Sequence, residues 1–192
     1  MPKSSVDANY RFIAAYQEIN ARIVQRQQAL ALYVTLTVSL LAAVVALRPM
    51  PGAEPAPIEW LLLGFPLASL TLALLNYTSE RAITNLRTFL SVLERLEDAH
   101  LSLPSYNTDP QWAAHANQAR RFRDVAAMLL ALGGNAIGLG AAWTIHPERM
   151  AQSKPFLIAA IVLAAVSLIG MLSTPRWSYK PVPDQDGAAG PS

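Results

Sequence analysis

The chain has 192 residues, 53% of them hydrophobic and only 15% charged, where soluble domains carry roughly 25% charged residues. Its mean hydropathy of +0.27, and the gathering of apolar residues into four stretches free of Asp, Glu, Lys, Arg and His, exclude an ordinary soluble globule and point to an integral membrane protein. These stretches take up about two-fifths of the chain, which leaves no room for a catalytic domain of ordinary size, and 0 cysteines exclude disulfides and thiolate chemistry.

In chain order, residues 1–28 precede the first stretch as a polar, amphipathic segment. Phe12, Tyr16, Ile19 and Ile23 fall on one helical face, with Arg11, Glu18 and Arg22 opposite. Ser4 with Asp7 reads as a capping start. The absence of Pro or Gly at Gln28–Ala29 favours one helix continuing into the first span over a helix lying on the lipid surface. The spans are residues 29–47, 60–77, 125–145 and 156–172, helical because backbone amides in hydrocarbon must bond internally. The first is too long, and its polar leader too extended, for a cleaved signal peptide.

Between the second and third spans, residues 78–124 read as a cytoplasmic helical hairpin. Ile83, Leu86, Leu90 and Leu93 repeat at intervals of 3, 4 and 3 as an apolar seam. Arg81, Arg87, Glu94, Arg95 and Asp98 are expected on the solvated face, and Ser91, about 100° around the helix, off the seam. The hairpin breaks at Leu103-Pro104, and Asp109-Pro110 opens the next helix as cap and first residue. Trp112, Ala116, Ala119 and Phe122 are expected to carry its packed face into the third span. Residues 173–192 are expected to be a disordered cytoplasmic tail.

Lysine and arginine set the orientation. The segments before the first span, between the second and third, and after the fourth hold 12 of the 15, so both termini and the long loop are expected in the cytoplasm. Trp60, Trp143, Trp177, Tyr77 and Tyr179 lie at or just beyond span ends, as interfacial aromatics do. The net charge of +2 reflects this positive-inside bias, not nucleic-acid binding. The expected fold class is therefore an all-α membrane protein with four transmembrane helices, three of them extended into a cytoplasmic helical bundle.

Few residues invite chemistry. No span holds a charged side chain, which counts against ion-coupled transport, and no phosphate loop, dinucleotide fingerprint or nucleophile elbow is present. His100, His115 and His146 match no metal-ligand spacing and lie outside the spans, so neither metal nor haem is expected. Asn135 is the single amide deep in a span, suited to an interhelical hydrogen bond. Gly134 and Gly138, continued by Ala136 and Gly140, form a small-residue ridge for close helix packing. Ala160, Ala164 and Ser167 offer a matching ridge on the fourth span, and Thr35, Ser39 and Ala42 a similar face on the first.

Arg26-Gln27 before the first span, Asn76-Tyr77 ending the second, Asn85-Leu86, Leu93-Glu94, Leu103-Pro104, Tyr106 and Trp112 follow in an order that resembles the RipA-like family of small oligomeric bacterial inner-membrane proteins. The resemblance covers residues 20–112, about half the chain; the second hairpin of spans departs from it. The layout is also similar to the two-span SLATT effector domains of bacterial conflict systems. The resemblance implies a non-enzymatic, oligomeric membrane assembly that alters membrane permeability on a cytoplasmic signal; with the residues read above, the expectation is a non-catalytic homo-oligomer of the inner membrane with no cofactor. Its cytoplasmic helices would serve assembly, binding of a cytoplasmic protein or reception of a small-molecule signal. Two other readings stand beside this one: a signal-activated pore-forming or membrane-perturbing effector of a bacterial defence system, and a small membrane enzyme or transporter subunit acting on lipid-like substrates through the cytoplasmic loop, for which Asn135, Asn76 and His100 would be irreplaceable.

Overall fold

Asp7, in extended backbone, accepts a hydrogen bond from the Asn9 amide at 3.2 Å and caps helix α1, which runs unbroken over Ala8–Ala46. The computed structural model describes residues 7–51, 57–96 and 105–181. Helix α2 spans Glu59–Glu94, with Pro66 inside it. Helix α3 spans Pro110–Ile145; Asp109 caps it by accepting from the amides of Gln111 at 2.7 Å and Trp112 at 3.4 Å. The short α4 (Pro147–Gln152) leads into α5 (Lys154–Ser173), which ends in a 3₁₀ turn over Thr174–Trp177. The described residues contain no strand, and α1, α2, α3 and α5 with its 3₁₀ turn are each long and apolar enough to cross a membrane.

Helix α2 is the centre of the bundle, packed along α1 on one side and α5 on the other, with α3 closing the remaining face. The bundle has an apolar half and a polar half. At the outer end of the apolar half Val44, Leu62, Phe65, Ala142 and Met150 form one core; Tyr33, Ala68, Leu72, Ala73, Ala131 and Met171 form a second beneath it. Since α5 stops at Ser173, α1, α2 and α3 are the long helices that continue into the polar half among the described residues. There Ala15, Ile19, Ile83 and Leu90 make a third core, with Phe12, Ile23 and Leu86 against it.

The seam on α2 therefore packs on α1 of the same chain: Ile83 and Leu90 are buried, Leu86 and Leu93 partly so. The opposite face is less solvated than its charges suggest. Arg87 is buried and Glu94 is half-buried, because both turn towards the loop before α3. Ser91 is also buried, its hydroxyl donating to the Thr88 carbonyl at 2.7 Å.

Two further expectations need correction. The packed face of α3 is not the line through Trp112 and Phe122, which are exposed. It runs through Ala113, Asn117, Arg120, Asp124, Ala127, Ala131, Asn135, Gly138 and Ala142, spaced by three and four residues as a helical stripe requires. This face is small or polar because the large side chains come from α1 and α2. Accordingly Gly134 and Gly138 do not meet the ridge on α5. A Cβ at Gly134 would lie 2.6 Å from the Tyr33 hydroxyl, and one at Gly138 would lie 2.6–2.7 Å from the buried Phe65 ring. Gly140 faces open space, as do Ala136, Thr35, Ser39 and Ala42. Ala160 is buried and Ala164 half-buried, and α5 sets its small residues against α2: Ser167 donates to the Pro66 carbonyl at 3.4 Å, and a Cβ at Gly170 would touch Ala73.

This geometry separates the two glycines. Gly138→Leu forces a buried aromatic ring aside and is expected to destabilise the fold by about 1–3 kcal/mol, the usual cost of overpacking. Gly140→Leu meets nothing within the chain and should leave folding unchanged. Denaturation of the two purified variants in mild detergent checks both; equal stabilities would show that Phe65 can give way.

Candidate functional site

Three arginines and two carboxylates meet where the polar and apolar halves join. Arg26 comes from α1, Asn76 and Glu80 from α2, and Arg120, Arg123 and Asp124 from α3. Arg26 is nearly enclosed, its side chain 4% exposed, and Glu80 is 1% exposed. Arg26 donates through Nε to Asn76 Oδ1 at 3.1 Å, through Nη1 to Glu80 Oε2 at 3.1 Å, and through Nη2 to Asp124 Oδ1. Glu80 Oε1 accepts from Arg120 Nη1 at 2.7 Å. One guanidinium thus ties three helices together, and Glu80 uses both oxygens.

Burial of charge at this depth is tolerable only with such pairing. It still leaves a mark on the titrating groups. Burial pushes the Asp124 carboxyl above the ordinary carboxylate range; Arg26 beside it pulls the other way, and Glu80 adds to the rise. Burial and the neighbouring Arg26 lower Arg123, and burial with Arg120 lowers Arg87, though a guanidinium stays charged throughout.

A second polar group lies deeper, among apolar residues. Asn135 Nδ2 donates to Ser69 Oγ at 2.7 Å and to the Ala131 carbonyl at 2.7 Å, and the Tyr33 hydroxyl lies 3.3 Å from Ser69 Oγ. Asn135 therefore links α3 to α2, the interhelical role its position suggests. Its Oδ1 is buried without a partner, as is Thr37 Oγ1.

Towards the far end of the polar half, the chain after α5 folds back as a strap. Thr84 donates to the Trp177 carbonyl at 2.8 Å and Asn117 Nδ2 to the Tyr179 carbonyl at 2.9 Å. The Tyr179 hydroxyl donates to the Asn107 carbonyl, and the Arg87 guanidinium sits 4.7 Å above the Tyr179 ring. Trp177 meets Tyr77 edge-on and lies under Arg81. Residues 174–181 are thus ordered, and Tyr179 is buried instead of interfacial; the rest of the expected tail lies outside the described residues. The strap occupies the side of α2 and α3 that a fourth helix would otherwise take.

The histidines are dispersed. His146 is buried, with Nε2 3.3 Å from the Val44 carbonyl at the outer end of the apolar half. His115 is exposed beside Trp112, and His100 lies outside the described residues. Among the described residues no three His, Asp or Glu side chains are grouped to hold a metal ion.

The charged layer is what sequence reasoning missed, because its members lie just outside the spans and pass for positive-inside or solvated residues. A signal was nevertheless present. Arg26 lies seven residues from Ile19 and three from Ile23, and Glu80 three before Ile83, so both charges continue the apolar faces that build the polar-half core. Comparison with protein-family profiles, with curated proteins and with solved structures finds no match.

Proposed function

We propose that this chain is a non-catalytic four-span protein of a bacterial-type inner membrane, with both termini in the cytoplasm. In this reading its polar half is a cytoplasmic helical bundle for assembly, partner binding or signal reception. One observation carries it: large apolar side chains face outward all round the apolar half, including Leu32, Val38, Leu74, Leu129, Ile137 and Ile169. Exposed apolar area on that scale needs a nonaqueous solvent. Trp60 and Trp143 are exposed at one rim and Trp177 at the other, at the depth where interfacial aromatics sit.

The non-catalytic reading is supported by how the buried polar groups are used. Glu80, Arg26 and Asn76 satisfy one another across helices, a holding arrangement instead of one that leaves a carboxylate free for proton transfer. Self-assembly is supported by the outward small-residue faces of α1 (Thr35, Ser39, Ala42) and α3 (Ala136, Gly140), where a second copy could approach closely.

Topology is the direct test. Reporter fusions after Lys180 and at Tyr106 are expected to report cytoplasm, and fusions at Met50 or Gln152 the opposite side, from the basic-residue bias. An outside signal at Tyr106 would overturn the four-span arrangement.

A further inference from the structure

The charged layer does not balance. Arg26, Arg120 and Arg123 face Glu80 and Asp124, three positive charges to two negative; Arg87, which also feels Arg120 and Glu80, has Glu94 as a further acidic neighbour. The surplus sits at Arg123. Glu80 is held by Arg26 and Arg120, and Arg26 holds the bonded oxygen of Asp124. The Arg123 Nε is buried with no hydrogen-bond partner, although the residue as a whole is half-exposed.

A sheltered N–H without an acceptor is costly. On a guanidinium, Nε and the adjacent Nη form the edge that grips two oxygens of one oxyanion, and a turn of the half-exposed Arg123 side chain would free that edge for one. Arg120, three residues earlier on the same face of α3, adds a second positive charge, and only its Nη1 is taken by Glu80. Arg123 also stands two residues before the third apolar stretch, at the depth of a lipid headgroup in the reading proposed above.

We propose that Arg123, with Arg120 beside it, binds a phosphate-type oxyanion at the edge of the charged layer. The same chemistry can come from an anionic phospholipid headgroup or from free phosphate. The lipid source rests on the membrane reading; the oxyanion site does not.

The test uses the full chain in neutral detergent, followed by thermal unfolding at constant ionic strength. The probes are dioctanoyl phosphatidylglycerol, dioctanoylglycerol with the same chains and no phosphate, and inorganic phosphate. Binding at about ten times the dissociation constant is expected to raise the Tm by about 3–5 °C. A rise with phosphatidylglycerol alone identifies a lipid headgroup, and a rise with inorganic phosphate a free anion. Arg123→Gln should abolish the rise, whereas Arg121→Gln, which removes an exposed neighbouring charge, should retain it. The proposal is overturned if neither phosphate probe moves the Tm, if dioctanoylglycerol acts as well as phosphatidylglycerol, or if Arg123→Gln responds like the parent. Should Arg123→Gln fail to fold, native mass spectrometry of the parent decides: a phosphate or phosphatidylglycerol adduct is expected on adding the probe, and no adduct overturns the site. Failure here leaves the topology fusions unaffected, so the two readings fall separately.

Discussion

Glu80→Ala is expected to destabilise the fold by about 3–5 kcal/mol, the range for breaking a buried ion pair from one side. The substitution strips the acceptor from Arg26 and Arg120 together, and the Arg26 side chain, 4% exposed, cannot turn to water for compensation. Asp124→Asn should be milder, about 1 kcal/mol or less, since it keeps an oxygen for Arg26 at a site where burial already disfavours the charge. The sign of the pH effect follows. Because its folded-state pKa is raised, Asp124 holds its proton more tightly folded than unfolded. By itself it stabilises the fold as pH falls through the raised value towards the ordinary one, opposite to a carboxylate whose pKa is depressed. The deficit of Asp124→Asn relative to the parent should therefore widen in that window. Denaturation of the purified full chain in detergent measures both variants, and a loss below about 1 kcal/mol for Glu80→Ala would mean that the layer behaves as a solvated surface cluster.

Much of the helical framework is legible from local rules. Asp7 and Asp109 cap helices where their side chains can accept from exposed amides, and Pro110 takes the first-turn position where a missing N–H costs nothing. The four apolar stretches fall within the four long helices to within one residue, Leu47 being the C-cap of α1. Which faces meet is less legible, because hydrophobicity marks large side chains and α3 packs with small ones. Ala113, Ala127, Ala131 and Ala142 are buried, whereas Trp112 and Phe122 are exposed. A bulky residue outside a span can look outward to an interface, and an alanine can be the socket for Phe65 or Tyr33. Gly138 was visible as a packing residue, but its partner was not, since a small-residue ridge specifies closeness and not identity. The strap was hidden for a similar reason: nothing local in a short segment after Pro175 marks Tyr179 as buried. Its place is fixed by Asn107, Asn117 and Arg87, between 62 and 92 residues away in sequence.

The seam in the polar half carries the other large expected effect. Leu90 is 1% exposed and packs with Ala15, Ile19 and Ile83, so its burial contributes about 1.5–3 kcal/mol. Leu90→Glu loses that contribution and adds the cost of placing an unpaired carboxylate against apolar side chains. The polar-half bundle should come apart while the apolar half, which shares no residue with this core, stays assembled. Ser91 does not serve as the silent control that its place on the helical wheel suggests. It is buried, and its hydroxyl is turned to the Thr88 carbonyl, so a glutamate there also lacks room. Val92, 58% exposed, is the proper comparison, and Val92→Glu should fall within about 0.5 kcal/mol of the parent, as surface substitutions do. Limited proteolysis separates the outcomes. Leu90→Glu should open cleavage sites within Thr84–Glu94 and Pro110–Asn117 that stay protected in Val92→Glu, and protection of both would show that α1 does not hold α2 through this seam.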